Sequence, residues 1–262
     1  MDKNNYKVSA EYKNKNTITP FETYLKYTSQ KKESAIQLAA ILGNSGSSVG
    51  ILDIGTGNGE YLKYALEKIK DSSNWDLTLI EPSDDLATQL DSTFSERNTN
   101  IVHTDFDSFS SNERFDIVLA SHLFYHIPKQ SQTEQLTKML SLLKTNGTLI
   151  IVLRDRDDAY EFKMQFKPLL LSSDFKAMTI DDVLNKIPNM DKLNIERRTV
   201  TSKLTIPITQ NQENALSIIE FYLGKKWEDI PELIKEDIFS FIMQKNNTFE
   251  LTDGIAVITK SE

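Results

Sequence analysis

From position 49 onward, apolar and polar residues alternate with two periods. VGILDI (49–54), DLTLIEP (76–82), NIVHTDF (100–106) and FDIVLAS (115–121) are apolar runs of strand length. Between them apolar residues recur at helical spacing: Tyr61, Leu62, Ala65, Leu66 and Ile69, then Leu86, Leu90 and Phe94 behind Ser83 as N-cap. A third helix places Leu136, Met139, Leu140 and Leu143 on one face, and Asn146-Gly147 reads as its stop before the strand TLIIVL. Upstream, residues 21–42 carry a single helical pattern that Gly43 and NSGSS end. Downstream of Arg154 the rhythm changes. Helices are predicted at 160–171 and 180–187, a strand at 194–208, helices at 215–223 and 231–243, and a last strand at GIAVIT. The first sixteen residues lack apolar periodicity and predict a mobile arm.

Strands that alternate with helices need crossover connections, so the pattern specifies an α/β fold with a largely parallel, doubly wound sheet. The expected organisation is an N-terminal arm and helical cap over 1–45. The main domain then runs over 46–262, with helical insertions at about 155–190 and 211–246. The second insertion is placed to cover a pocket at the strand ends. A length of 262 residues with 39% hydrophobic content supports one substantial core. The absence of cysteine removes disulfides, thiolate metal sites and thiol nucleophiles, and fits a reducing compartment. The polar N-terminus is no secretory signal, and no apolar run approaches the ~20 residues of a membrane span, so a cytoplasmic protein without membrane contact is expected. A net charge of −8 argues against nucleic acid as a partner, since that affinity rests on clustered Lys and Arg.

The chemistry-bearing pattern is DIGTGNGE. Gly55, Gly57 and Gly59 let backbone approach a ligand at the first strand-to-helix turn, with Asp53 and Thr56 alongside. A dinucleotide fingerprint would place Gly or Ala where Glu60 stands, so a diphosphate is disfavoured. Glu81, with Pro82 and Ser83 following, closes the second strand, where a carboxylate can accept from two ribose hydroxyls. Its alternative is a solvated turn residue. Asp105 could accept from an adenine amino group with Phe106 flanking the ring, or could simply belong to a turn.

In order and content, ILDIGTGNGE, LIEPSDDL, IVHTDFDSF, FDIVLASHLFYHI and LKTNGTLIIV resemble the class I S-adenosylmethionine (SAM)-dependent methyltransferase family over about residues 49–153. The resemblance implies a Rossmann-like sheet of seven strands with the last antiparallel. It also implies SAM over the ends of the first two strands and S-adenosylhomocysteine (SAH) as product. A narrower likeness is to the histamine N-methyltransferase type, carried by FETYLKYTSQ, IEPS, SHLFYHI, LIIVLRDRDDAY and the helix-rich tail ending in GIAVIT. At the positions where that enzyme type contacts its amine, this chain has Gln30, His122 and Leu251, so the substrate contacts differ.

Methyl transfer from a sulfonium needs alignment and exclusion of water, and a base only where the acceptor must lose a proton. Ser121, closing the fourth strand, is a further cofactor-binding candidate, and His122 just past it is the main candidate for meeting the acceptor, with Tyr125 as a second catalytic candidate and His126 as a binding one. Each also has a structural reading, as an orienting or packed ring. Tyr24, Tyr27 and Gln30 are candidates for a lid over the acceptor, or are neighbours by helical spacing alone. No metal-ligand cluster is apparent, which disfavours the metal-dependent catechol type. The expected function is methylation of a small molecule, with a nitrogen nucleophile leading. Small-molecule O-methylation and a non-catalytic SAM-binding regulator are the alternatives.

Overall fold

The computed structural model describes residues 18–173 and 175–260, and the polar arm expected over the first sixteen residues lies outside this range. The described chain forms two compact units from interleaved segments. One holds residues 32–154, 179–200 and 253 onward, and the other holds residues up to 31, 155–178 and 201–252. The chain passes between the two units at 31/32, 154/155, 178/179, 200/201 and 252/253.

The seven strands are β1 (Gly50–Ile54), β2 (Asp76–Ile80), β3 (Thr99–Val102), β4 (Phe115–Ser121), β5 (Leu143–Arg154), β6 (Leu193–Thr205) and β7 (Thr248–Lys260). Their order is β3-β2-β1-β4-β5-β7-β6. β1 to β5 pair in parallel, and β7 runs antiparallel to β5 from Thr148↔Thr259 to Arg154↔Asp253. This is the Rossmann-like, mostly parallel seven-stranded sheet that the alternating pattern and the resemblance predict. The order reverses beside β1, which directs the ends of β1, β2 and β4 toward one crevice.

In this first unit, α2 (Gln30–Leu42) contributes Leu38 and Leu42 to the core, and α3 (Glu60–Leu66) contributes Leu62 and Leu66. They pack with Ile51, Leu79 and Ile150 of the sheet, all of them buried. Burying each such side chain contributes about 1.5–3 kcal/mol before the entropy of ordering is set against it. α4 (Asp84–Thr93) adds Leu90 to the same core, α5 (Gln132–Ser141) packs on β5, and so does α7 (Ile180–Leu184). The second unit has its own aromatic core. Tyr24 of α1 (Pro20–Tyr27), Phe162 and Phe166 of α6 (Asp158–Leu170), Tyr222 of α8 (Gln212–Leu223) and Phe249 meet there with Ile238 and Ile242 of α9 (Glu232–Gln244).

Several expectations are corrected in detail. The single helix predicted over 21–42 is two, because Thr28 takes an extended backbone (φ −116°, ψ 145°), bridges Leu204, and is followed by Ser29 donating its N–H to the Lys203 carbonyl at 2.9 Å. A strand-like bond to a distant segment thus replaces the next helical bond. Asn146-Gly147 does not stop α5, which ends at Ser141. Gly147 lies within β5, where a Cβ would fall 2.9 Å from the Phe115 carbonyl oxygen; the close approach of β4, beside a register shift between Phe115 and Ile117, is what requires glycine. Ser83 does occupy the N-cap of α4, yet its side chain makes no capping bond. β7 begins well before GIAVIT and includes Asp253. Among the described residues, no helix is long and apolar enough to cross a membrane.

Candidate functional site

The loop joining β1 to α3 contains Gly55, Gly57 and Gly59 at φ 69°, 64° and 78°. Two of these glycines answer different demands. At Gly59 a Cβ would stand 2.5 Å from Phe94 and 2.7 Å from Leu90, so this position is required by packing under the loop. At Gly57 a Cβ would meet nothing within 4 Å, so only the left-handed backbone requires glycine, and the loop presents bare backbone to open space.

The N–H groups of Gly55, Thr56, Gly57, Gly59 and Glu60 are engaged within the protein. The Ile80 carbonyl accepts from Gly55 at 2.8 Å and from Thr56 at 3.1 Å, while Gly57 donates to Glu81 at 2.8 Å. Gly59 donates to the Thr56 carbonyl at 3.2 Å, and Glu60 to the Asn58 side chain at 3.3 Å. A phosphate-binding turn aims such N–H groups at its anion. Here they are taken up by acceptors of the protein itself, which agrees with the disfavouring of a diphosphate at Glu60 and is independent of it.

Carboxylates accompany this loop. Asp53 is buried, and loss of hydration pushes its pKa up to about 7, with a hydrogen bond from Thr56 opposing the rise and the charge of Glu81 adding to it. Glu81 is also raised by burial, against the pull of its two backbone bonds, from Gly57 and, at 2.9 Å, from Ser83. Each Glu81 oxygen takes one N–H and retains lone-pair capacity. The Pro82 carbonyl lies 3.1 Å from His103 Nε2. Asp105, half-buried, accepts from the Ser108 N–H at 2.7 Å in the turn after β3. Phe106 is buried, stacked on Phe109 and covered by the Lys138 ammonium at 4.6 Å from its ring centre.

At the end of β4, Ser121 is followed by His122 in the left-handed region at φ 51°, its N–H donated to the Val152 carbonyl at 2.8 Å. Its imidazole lies roughly parallel to the Tyr125 ring (6.2 Å, 18°), and the Tyr125 hydroxyl accepts the Arg154 N–H at 3.0 Å. His126 is exposed in the same turn. Buried Gln132 of α5 pins this turn by donating to the carbonyls of Phe124 (3.2 Å) and Ile127 (3.0 Å). Two residues absent from the sequence-based set join the site. Tyr61 of α3 has its hydroxyl 3.1 Å from Ser34, is also hydrogen-bonded to Ser121, and is held far above the ordinary phenol range by burial. Asp253 of β7 places its Oδ2 3.6 Å from His122 Nε2. A carboxylate embedded in the apolar run LTDGIAVIT was the available signal for Asp253.

Three candidates for a lid lie in the second unit. Tyr24 and Gln30 are both buried and bonded to each other, the phenol donating to the amide oxygen, with Tyr24 stacked on Phe221 at 4.9 Å. Tyr27 accepts from Asn214 at 2.9 Å. Leu251, at a position where the narrower resemblance expected an amine contact, is wholly buried in the aromatic core. Among the described residues, no group of three or more His, Asp or Glu side chains could hold a metal ion.

Malonyl-(acyl-carrier protein) O-methyltransferase 2 of Ilyobacter polytropus is 22% identical over 157 residues, which span 60% of this chain and 59% of that protein. The fold is similar to that of the N-methyltransferase NodS from Bradyrhizobium japonicum WM9, with a TM-score of 0.51 at 15% identity over 89% of this chain and 98% of that one. It is similar also to the YcgJ protein of Bacillus subtilis, with a TM-score of 0.59 at 12% identity over 87% of this chain and 99% of that one. A family model described as a methyltransferase domain matches residues 24–188, more than half of the sequence, and the chain belongs to that family.

Proposed function

We propose that the chain is a SAM-dependent methyltransferase whose acceptor is a small molecule methylated at nitrogen. The observation that carries the choice of cofactor is the loop between β1 and α3. The N–H groups of Gly55, Thr56, Gly57, Gly59 and Glu60 are taken up by the protein itself, Asp53 precedes the loop at the end of β1, and Glu81 accepts the Gly57 N–H. Such a site repels phosphate and suits a ligand that brings hydroxyls and an ammonium. SAM supplies a methyl carbon already activated by its sulfonium, so the protein's share of the work is alignment and exclusion of water.

Glu81 accepts the ribose hydroxyls with its remaining lone pairs, and Asp53 balances the methionine ammonium. The bare backbone at Gly57 lets the ligand lie close. Asp105 offers an acceptor to the adenine amino group, while the covered Phe106 shapes the turn. His122 and Tyr125, beyond Ser121, receive the acceptor. The likeness of FETYLKYTSQ and SHLFYHI to the histamine N-methyltransferase type supports nitrogen. The name of the Ilyobacter relative favours oxygen as a second reading, served by the same cofactor site.

The test is incubation of the purified chain with methyl-labelled SAM and a panel of small amines, phenols and carboxylic acids, with products located by mass spectrometry. Label on nitrogen with release of SAH is the expected result. Label on oxygen alone would transfer the assignment to the second reading, and calorimetry without binding at millimolar SAM would end both.

A further inference from the structure

We propose that Asp253 is the positioning residue for His122: the buried carboxylate holds the imidazole by Nε2 and leaves Nδ1 to receive a proton from the acceptor. This rests on the placement of the acceptor at His122 in the proposed function. Four observations within one unit converge on it.

First, the two residues are set by backbone. His122 continues the β4–β5 pairing past Ser121↔Val152 through its N–H bond to Val152, and Asp253 is the register partner of Arg154 on the other side of β5. Adjacent strand ends therefore fix their separation, Nε2 to Oδ2 being 3.6 Å. Second, the pair is asymmetric in exposure. The Asp253 side chain is 1% exposed and that of His122 35%, so the carboxylate lies in the interior and the ring reaches the surface. Third, His122 adopts φ 51°, uncommon for a residue with a β-carbon though less costly for His than for most, and such strain gathers where a side chain must be aimed. Fourth, Tyr125 lies along the imidazole and is itself tied to the Arg154 N–H, which restricts rotation of the ring.

The ring nitrogen that faces a carboxylate keeps its proton, because the N–H dipole and the negative charge favour that tautomer. Nε2–H toward Asp253 thus leaves the lone pair on Nδ1. An ammonium acceptor gives one proton to Nδ1. The electron pair of the broken N–H bond stays on the acceptor as its nucleophilic lone pair, and the positive charge moves to an imidazolium that the Asp253 carboxylate balances. Charge and proton count are conserved without a co-reactant. Tyr61, kept neutral by burial and within the influence of both Asp253 and Asp53, adds no competing charge.

The test is nitrogen-15 NMR of the full chain bound to SAH, where only three histidines need to be told apart and His122→Gln identifies the signal. The expected result is a predominant Nε2–H tautomer in wild type. It should fall toward an even mixture in Asp253→Asn and recover in Asp253→Glu. In kinetics, Asp253→Asn should lower kcat roughly 10- to 100-fold while KM for SAM changes less than about twofold. A predominant Nδ1–H tautomer in wild type would overturn the proposal even if Asp253→Asn failed to fold. So would an unchanged tautomer ratio in a folded Asp253→Asn. Should the chain fail to bind SAM, the proposed function falls at the calorimetric step, and spectra of the ligand-free chain still decide the His122–Asp253 relation.

Discussion

The Glu81 carboxylate accepts the Gly57 N–H at 2.8 Å on one oxygen and the Ser83 N–H at 2.9 Å on the other, clasping the glycine loop to the end of β2. It thereby shapes the loop, and under the proposed function it also faces the ligand. Glu81→Ala should weaken SAH binding by roughly 1–3 kcal/mol through the lost charged acceptor. Thermal stability should fall too, because two N–H groups lose their partner. Glu81→Gln retains one good acceptor and should lie between. Calorimetry and thermal unfolding check both effects, and unchanged SAH affinity in a folded Glu81→Ala would remove Glu81 from the cofactor site.

Gly57 and Gly59 share a left-handed backbone but not a neighbourhood. Gly57→Ala adds a Cβ into open space, so it should cost only about 1 kcal/mol of backbone strain. It should nonetheless reduce SAH affinity, because the methyl occupies the surface the ligand approaches. Gly59→Ala drives a Cβ to 2.5 Å from Phe94. Overpacking of this kind adds about 1–3 kcal/mol to the backbone strain, and the larger loss should appear in the unfolding midpoint. If Gly57→Ala binds SAH as wild type does, the ligand does not pass over that backbone.

Asp53 links stability to pH. Its pKa is about 7 in the folded chain against an ordinary 3.8, so between those values the native state holds a proton that the unfolded chain has released. Stability from this group is therefore present at low pH and declines as pH rises toward 7, with a slope of at most about 1.4 kcal/mol per pH unit. Asp53→Asn should flatten that decline. A ligand ammonium beside Asp53 favours the ionised carboxyl, so SAM binding near pH 6 should release protons. Calorimetry in buffers of different ionisation enthalpy measures the release, which should vanish in Asp53→Asn; a release that persists there would assign it to another group.

The parts of this site that were legible in the sequence are those made by neighbours along the chain. The run GILDI followed by spaced glycines identifies β1 and its loop, and Glu81 declares itself by closing the next apolar run. Asp253 could not be found that way, because it reaches His122 only through the antiparallel pairing of β7 with β5. The break between α1 and α2 is hidden for the same reason: Thr28 and Ser29 leave the helix to bond Leu204 and Lys203. Gly147 looked like a helix stop, whereas its cause is the backbone of β4 pressed against it. In each case a contact distant in sequence overrode a sound local preference.

His122 offers the sharpest separation of stability from activity. At φ 51° its β-carbon is held in a conformation that glycine adopts freely. His122→Ala removes the imidazole and keeps that strain, while His122→Gly removes both. The unfolded chain gains entropy from glycine, which offsets part of the relief, so His122→Gly should be about 1 kcal/mol more stable than His122→Ala. Comparing these two variants cancels the lost stacking on Tyr125, which a comparison with wild type would not. Both variants should retain SAH affinity, since His122 lies outside the glycine loop and the Glu81 clasp. Both should lose turnover with the acceptor by roughly 10- to 1,000-fold, the range of a lost proton acceptor or lost alignment. Denaturant unfolding and initial rates at saturating acceptor check the two halves separately. Equal rates for wild type and His122→Ala would make His122 a structural residue, and equal stability of the two variants would show that the left-handed backbone stores no more strain than the unfolded-state entropy that glycine adds.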